Sequence, residues 1–297
     1  MVIVRLIGGL ANQMFPYAVG RSLAHRLGTE LKLDITGFAV YRQKINLAPR
    51  SYGLDAFSIQ ETFATTEEIE SLKIGRRSLR SRAGKMLFGI STPPPATYVK
   101  EKQFEFDPEI LQLTGDVYLD GNWNSYRYFE DIEETIRSEF TFKHPQSGKN
   151  LDLFKMIAAT ESVSLHIRRG DFVSNPKVNA LYGTCDLDYY QRCVEDLAKR
   201  VEEPHFFIFS DEPEWVRGNL HLPFAMTIID HNGPDQAHED LRLMSQCRHH
   251  ILANSGFSWW GAWLDRRQDK LVYVPREWFK SSRYDTDTLL PSLWLRM

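Results

Sequence analysis

A chain of 297 residues, 42% hydrophobic and 25% charged, has the composition of a globular protein long enough for two domains of about 100–200 residues. Its net charge of -3 argues against nucleic acid as the main partner. No run approaches the ~20 apolar residues of a membrane span, and residues 1–6 lack the basic region and long apolar core of a signal peptide, so a cytoplasmic location is expected. Cys185, Cys193 and Cys247 make an odd count without metal-ligand spacing, which fits reduced thiols packed as small hydrophobes.

Residues 2–7 read as a buried first strand. Gly8 and Gly9 turn the chain, and Asn12 and Gln13 lead into an apolar helix carrying Met14, Phe15, Ala18, Val19 and Leu23. Gly28 stands where a helix C-cap belongs, and residues 30–34 return as a second strand. The glycines do not fit the G-x-G-x-x-G dinucleotide spacing. Two roles stay open for them: a tight strand-to-helix turn, or close backbone approach to a ligand with Asn12 as a neutral donor and acceptor.

Residues 38–95 are the least legible part of the chain. Thr65-Thr66-Glu67-Glu68 has the pattern of a capping box opening a helix. Lys73, Arg76, Arg77, Arg80, Arg82 and Lys85 follow with no acidic residue among them. They form either a solvated helical face or a patch for anionic lipid headgroups. Pro93-Pro94-Pro95 is a stiff break. Residues 116–120 form a third major strand ending at Gly121-Asn122-Trp123-Asn124, where Trp123, Tyr126, Tyr128 and Phe129 gather as in a core or the wall of a sugar site.

In the second half strands are predicted at 162–167, 205–209, 225–229, 249–253 and 271–274, with helices at 188–201, 236–247 and 257–264. Such alternation predicts an α/β parallel sheet with right-handed crossovers. Polar residues fall just after the strands: Arg168, Arg169 and Asp171; Ser210 and Asp211; Asp230 and His231; Asn254 and Ser255. Parallel strands share a carboxyl edge, and open α/β sheets bind ligands there.

Arg168 and Arg169 suit a phosphate because each planar guanidinium donates two parallel charge-assisted hydrogen bonds. The alternative is a solvated loop in which they pair with Asp171. Asn254-Ser255-Gly256-Phe257-Ser258 enters a helix and makes a natural anion cradle. Two arginines and a helix N-terminus can hold a diphosphate without a metal. The only hints of a divalent cation are Asp186/Asp188, at a helix start where carboxylates complement the dipole, and Asp285/Asp287, outside the sheet pattern. No G-x-x-x-x-G-K-[ST], H-E-x-x-H or Ser-His-Asp elbow occurs.

Gly8-Gly9-Leu10-Ala11-Asn12-Gln13-Met14-Phe15, His166-Ile167-Arg168-Arg169-Gly170-Asp171 and Asn254-Ser255-Gly256-Phe257-Ser258-Trp259-Trp260-Gly261-Ala262 together resemble the bacterial α-1,2-fucosyltransferases of glycosyltransferase family 11. Residues 240–247, Asp240 to Cys247, are also similar to that family's pattern. The resemblance runs from the first strand to about Pro275; Ala11 departs from it, standing where the family usually has glycine.

The resemblance implies an α/β, GT-B-like fold: two Rossmann-type lobes, with the donor site in the inter-lobe cleft. Residues 1–148 would be the acceptor-side lobe and 149–297 the GDP-fucose-binding lobe. It further implies inverting, metal-independent transfer of L-fucose from GDP-β-L-fucose to the 2-hydroxyl of a terminal β-galactoside in bacterial O-antigen synthesis. The donor is then a substrate and no cofactor is needed. A lipid-linked acceptor would bring peripheral contact with the inner membrane face.

By the same resemblance Arg168 holds the β-phosphate and stabilises the charge on departing GDP. Arg169 joins it in binding the donor, and His166 and Asp171 shape that pocket, Asp171 by fixing an arginine. Asp240 reads the guanine edge, Asn254, Ser255 and Ser258 support the phosphates, and Asn12 reaches the donor sugar. No residue is singled out as the general base. Competing readings are another GDP-fucose-dependent linkage, a metal-dependent nucleotide-sugar enzyme, and a non-catalytic carbohydrate-binding module stacking sugars on Trp123, Trp259 and Trp260. The last leaves the arginine pair and the Asn-Ser-Gly loop unexplained.

Overall fold

The computed structural model describes residues 1–39, 50–73, 97–102, 104–281 and 284–297. These form two compact units, Met1–Thr141 and Phe142–Met297. Each is α/β and built on a parallel sheet, the construction that the GT-B class implies.

In the first unit Val2–Arg5 (β1), Leu31–Asp34 (β2), Thr97–Lys100 (β3) and Val117–Asp120 (β4) pair in the order β2-β1-β4-β3. Leu10–Leu27 (α1) carries Met14, Phe15, Ala18, Val19 and Leu23 into the core. Thr66–Lys73 (α2) brings Ile69 and Leu72 against Ile3 and Tyr118. It opens with the expected capping box: Thr65 N donates to Glu68 Oε2 at 2.9 Å, and Glu68 N donates to Thr65 Oγ1 at 3.2 Å. β3 leaves little signal in the sequence because it is short, with alternate residues exposed. Of the basic run only Lys73 is described; its Nζ lies 3.3 Å from the buried carboxylate of Asp34 and 4.6 Å from the Tyr118 ring centroid. Arg76, Arg77, Arg80, Arg82, Lys85 and the three prolines lie outside the described residues.

The second unit begins at Phe142 because Phe142 lies under the Arg242 guanidinium, 4.2 Å from the ring centroid, and His144 O accepts from Arg242 Nη2 at 2.8 Å. Glu161–Ile167 (β5), Pro204–Ser210 (β6), Met226–Ile229 (β7), His249–Ile251 (β8), Val272–Val274 (β9) and Leu295–Arg296 (β10) form one parallel sheet, ordered β10-β9-β8-β5-β6-β7. The helices are Gly148–Ala158 (α3), Gly170–Ser174 (α4), Pro176–Tyr182 (α5), Leu187–Leu197 (α6), Pro213–Asn219 (α7), Ala237–Gln246 (α8) and Gly256–Leu264 (α9). Asp186 caps α6 by accepting from Tyr189 N at 2.7 Å, and Asp287 pairs with Arg296.

Both faces of this sheet are covered, which is why β6 reads as an unbroken apolar run. Phe206 and Ile208 join Tyr190, Cys193 and Leu197 of α6. Phe207 and Phe209 join Leu153 and Ile157 of α3 and Leu243 and Met244 of α8. β5 differs. Val163, Leu165 and Ile167 enter the α6-side core, whereas Ser164 and His166 alternate with them and are also buried. Their polar groups find partners: Ser164 Oγ meets His250 Nδ1 at 2.8 Å, and His250 Nε2 meets Asp265 Oδ2 at 3.1 Å. Alternation on this strand therefore marks a hydrogen-bonded interior, not a solvent face.

Candidate functional site in the second unit

Parallel β5, β6, β7 and β8 bring the turns at 168–171, 210–212, 230–232 and 252–255 to one edge of the sheet. At its centre is Arg168. Its Nη2 donates to Asp171 Oδ1 at 2.5 Å, its Nη1 lies 3.0 Å from Asp211 Oδ2, and the guanidinium stands 5.4 Å from the Phe172 ring centroid. Asp211 also accepts from the backbone N of Arg169 at 2.9 Å, so one carboxylate fixes both the turn and the side chain. Gly170 is required by this close approach: a Cβ there would lie 2.5 Å from Asp211 Oδ2. Asp211 was visible in the sequence as a strand-end acid. Its role was not, because the partner lies 43 residues away, at 168.

Arg169 takes a different position from the phosphate-facing one expected. Its Nε donates to Glu212 Oε2 at 2.9 Å, and its guanidinium stacks on Trp215, 3.8 Å from the ring centroid. These contacts hold the turn that presents Arg168. Nothing in the local sequence announces Trp215 as their platform.

His166 is buried and meets Ser258 Oγ through Nδ1 at 2.9 Å, which ties β5 to the first turn of α9. Burial, with the Arg168 charge nearby, pushes its pKa down to about 3, so the ring is neutral at physiological pH. Ser255 is the N-cap of α9, accepting from Phe257 N at 3.3 Å. Asn254 does not offer its side chain to the edge as expected. It is buried, and its Nδ2 donates to Tyr182 O at 2.9 Å and Trp278 O at 3.2 Å, so it anchors the cradle from behind.

Asp240 lies in the first part of α8, within a chain of amides. Asn232 Nδ2 donates to Asp240 Oδ1 at 2.7 Å and to Asn150 Oδ1 at 3.1 Å, while Asn150 Nδ2 donates back to Asn232 Oδ1 at 3.0 Å. His231 Nε2 meets Asn150 Oδ1 at 2.8 Å, and that contact leaves His231 Nδ1 as a buried acceptor with no partner among the described residues. Burial lifts the Asp240 pKa to about 6, only partly countered by Asn232. Asp230 faces elsewhere, paired with Lys149 and Arg217, and Ser210 Oγ accepts from Glu212 N at 3.0 Å.

In the first unit, Asn12 is exposed on the first turn of α1, at the carboxyl end of β1. Gly8 adopts a left-handed φ of 76°, and a Cβ there would come within 2.8 Å of Asn12 Nδ2. Gln13 secures the turn, its Nε2 donating to Gly8 O at 3.1 Å and Ser51 O at 2.9 Å. Ala11 lies inside α1, where a helical backbone accepts alanine as readily as glycine.

The chain matches the family described as Glycosyl transferase family 11 over residues 99–294. An α-1,2-colitosyltransferase of Escherichia coli is 32% identical over 100% of this chain and 99% of its own length. The O-antigen biosynthesis glycosyltransferase WbnK of Escherichia coli is 29% identical over 92% of this chain and 93% of its own. A galactoside α-(1,2)-fucosyltransferase 1 of Sus scrofa is 29% identical over 47% of this chain and 40% of its own. A helix-capped, arginine-centred sheet edge and a full-length relative lead to one assignment: the chain is a glycosyltransferase and belongs to glycosyl transferase family 11.

Proposed function

We propose that the protein transfers L-fucose from GDP-β-L-fucose to the 2-hydroxyl of a terminal β-galactoside of a bacterial surface glycan, with inversion and without a metal ion. The observation that carries this reading is Arg168, set at the carboxyl end of β5, the strand whose His166 meets Ser258 of α9, and steered by two carboxylates. The second unit is the donor-binding lobe and the first the acceptor-side lobe. Arg168 and the α9 N-terminus receive the diphosphate. Asp171, 46% exposed, yields its place on Arg168 to the β-phosphate, while Asp211, 25% exposed and also tied to the Arg169 backbone, keeps the guanidinium aimed. As the anomeric C–O bond breaks, negative charge collects on the β-phosphate and the Arg168 contact strengthens. Ser255 supports the phosphates, Arg169 and Asn254 hold the turns behind it, and buried Ser258 fixes neutral His166 against the pocket. Asp240 accepts from guanine N1–H and the exocyclic amine. Asn12 is assigned to the donor sugar.

A second reading, transfer of colitose, is favoured by the full-length likeness to a colitosyltransferase. The test is turnover of GDP-fucose and GDP-colitose side by side, against lactose and galactosyl-N-acetylhexosamines, with and without EDTA. EDTA-resistant α-1,2-fucosyl product is expected. Turnover of GDP-colitose alone would overturn the donor, and loss of activity in EDTA the metal-free chemistry.

A further inference from the structure

The first unit contains a second set of polar groups that the donor chemistry does not use. β1, β4 and β3 are parallel neighbours, so their carboxyl ends share an edge. Glu101 follows β3, and Gly121-Asn122-Trp123-Asn124 follows β4. The Glu101 carboxylate accepts from two successive backbone N–H groups of that loop, Asn122 N at 2.6 Å and Trp123 N at 2.9 Å. Successive N–H groups converging on one anion form a nest, and here the occupant is the protein's own side chain.

The loop is strained. Trp123 has a φ of 55°, a left-handed conformation that costs a large side chain about 1–3 kcal/mol. Its indole is nevertheless buried, set edge-on to Tyr128 with ring centroids 5.9 Å apart. Gly121 cannot be replaced without moving Glu101, because a Cβ there would lie 2.3 Å from Glu101 Cβ. The surroundings therefore over-determine this conformation.

The strained turn presents two asparagines. Asn122 and Asn124 are half-buried, and their side-chain amides have no hydrogen bond among the described residues. The neighbouring charge is already matched: Asp120 accepts from Arg5 Nη1 at 3.0 Å and from Tyr98 OH at 2.6 Å. Uncharged amides, beside a Glu101 carboxylate already occupied by the loop's own N–H groups and an Asp120 carboxylate already paired with Arg5, suit a neutral polyol better than an anion. Each amide can donate to one hydroxyl and accept from the next.

We propose that Asn122 and Asn124 bind hydroxyls of a neutral hexose acceptor, and that Glu101 is the positioning residue that holds their loop. This rests on the reading of the protein as a transferase acting on a glycan. A general base is not part of it. Glu101 acts through the backbone, so Glu101→Ala frees two N–H groups and loosens the turn, whereas Glu101→Gln keeps one amide oxygen to accept from them.

The experiment measures acceptor KM, donor KM and melting temperature for Asn122→Ala/Asn124→Ala, Glu101→Ala and Glu101→Gln, with lactose as acceptor. Loss of two neutral hydrogen bonds should raise acceptor KM about tenfold or more in the asparagine double variant. Donor KM should stay within about twofold, and the melting temperature near wild type. Glu101→Ala should show the same acceptor effect, partly rescued in Glu101→Gln. Unchanged acceptor KM in the folded double variant would overturn the proposal, as would a donor KM that rises in parallel. If the wild-type protein turns over no galactoside, the transferase reading fails on its own. The loop is then judged by saturation-transfer NMR with lactose: signal lost in the double variant upholds it, and signal retained, or no signal with wild type, refutes it.

Discussion

Two residues of the second unit carry opposite electrostatic loads. Arg168 is a permanent cation held by two carboxylates, and its planar fork matters as much as its charge. Arg168→Lys keeps the charge and loses the fork. It should lower kcat on the order of 10²–10³-fold with a much smaller change in GDP affinity, as when a preorganised oxyanion contact is removed. Arg169→Lys should instead lower the melting temperature along with activity, because it loses the stack on Trp215 and the Glu212 contact. Near-normal kcat for Arg168→Lys would mean that the α9 cradle holds the diphosphate alone. Asp240 is an anion in a place that resists one: burial raises its pKa from 3.8 to about 6. A raised folded-state value means that the folded protein binds the extra proton, so Asp240's contribution to stability is full below pH 4 and is lost as pH rises through about 6. At neutral pH, Asp240→Asn should therefore stabilise the ligand-free protein by about 1–3 kcal/mol, seen as a higher melting temperature. The same change should raise donor KM, and wild-type donor KM should climb as pH falls below about 6, where the carboxylate protonates. Unchanged GDP affinity in Asp240→Asn by calorimetry would remove Asp240 from the guanine site.

At the scale of elements, the polar edge of the second sheet depends on one joint, the turn from β5 into α4. Arg169 N and Arg168 Nη1 both converge on Asp211 at the end of β6, and Gly170 leaves room for it. Gly170→Ala introduces a methyl group where the carboxylate already stands, and Asp211 cannot swing away without releasing both partners. Such overpacking typically costs about 1–3 kcal/mol. We expect a lower melting temperature and a kcat reduced at least tenfold, since Arg168 loses the oxygen that aims it. A Gly170→Ala protein with normal kcat would show that Asp211 does not orient Arg168. The α9 joint is built differently. Ser255 caps the helix, Ser258 meets His166, and Asn254 secures the loop from behind, so the cradle is held by three side chains in three different ways.

At the scale of the molecule, each unit has its own parallel sheet and its own core, and no helix among the described residues is long and apolar enough to cross a membrane. We propose that Arg76, Arg77, Arg80 and Arg82, which lie outside the described residues, draw the protein to anionic membrane surfaces that carry lipid-linked acceptors. Each basic side chain near such a surface is worth about 1 kcal/mol. Changing all four to Gln should abolish salt-sensitive binding to phosphatidylglycerol vesicles and spare turnover of a soluble disaccharide. Wild-type protein that ignores such vesicles at low salt would reduce the run to a solvated face.

Short-range pattern was enough to read much of this protein. The alternation of strands and helices from residue 161 onward, the capping box at Thr65 and the cap at Asp186 depend on neighbours a few residues apart, and they stand in the sequence itself. The gathering of strand-end polar groups followed from the shared direction of parallel strands. Elements not legible there include β3, whose alternate residues are exposed, β10, two residues paired with Tyr273 and Val274, and the helices α3, α4, α5 and α7, the last three of them seven residues or fewer. What only the tertiary structure decided was which way each polar side chain faces. Arg169 turns to Glu212 and Trp215, Asn254 to Tyr182 and Trp278, and Asp240 joins Asn150 and Asn232. A buried polar group must find a partner wherever the fold supplies one, and most of these partners are tens of residues away, beyond the reach of any local pattern.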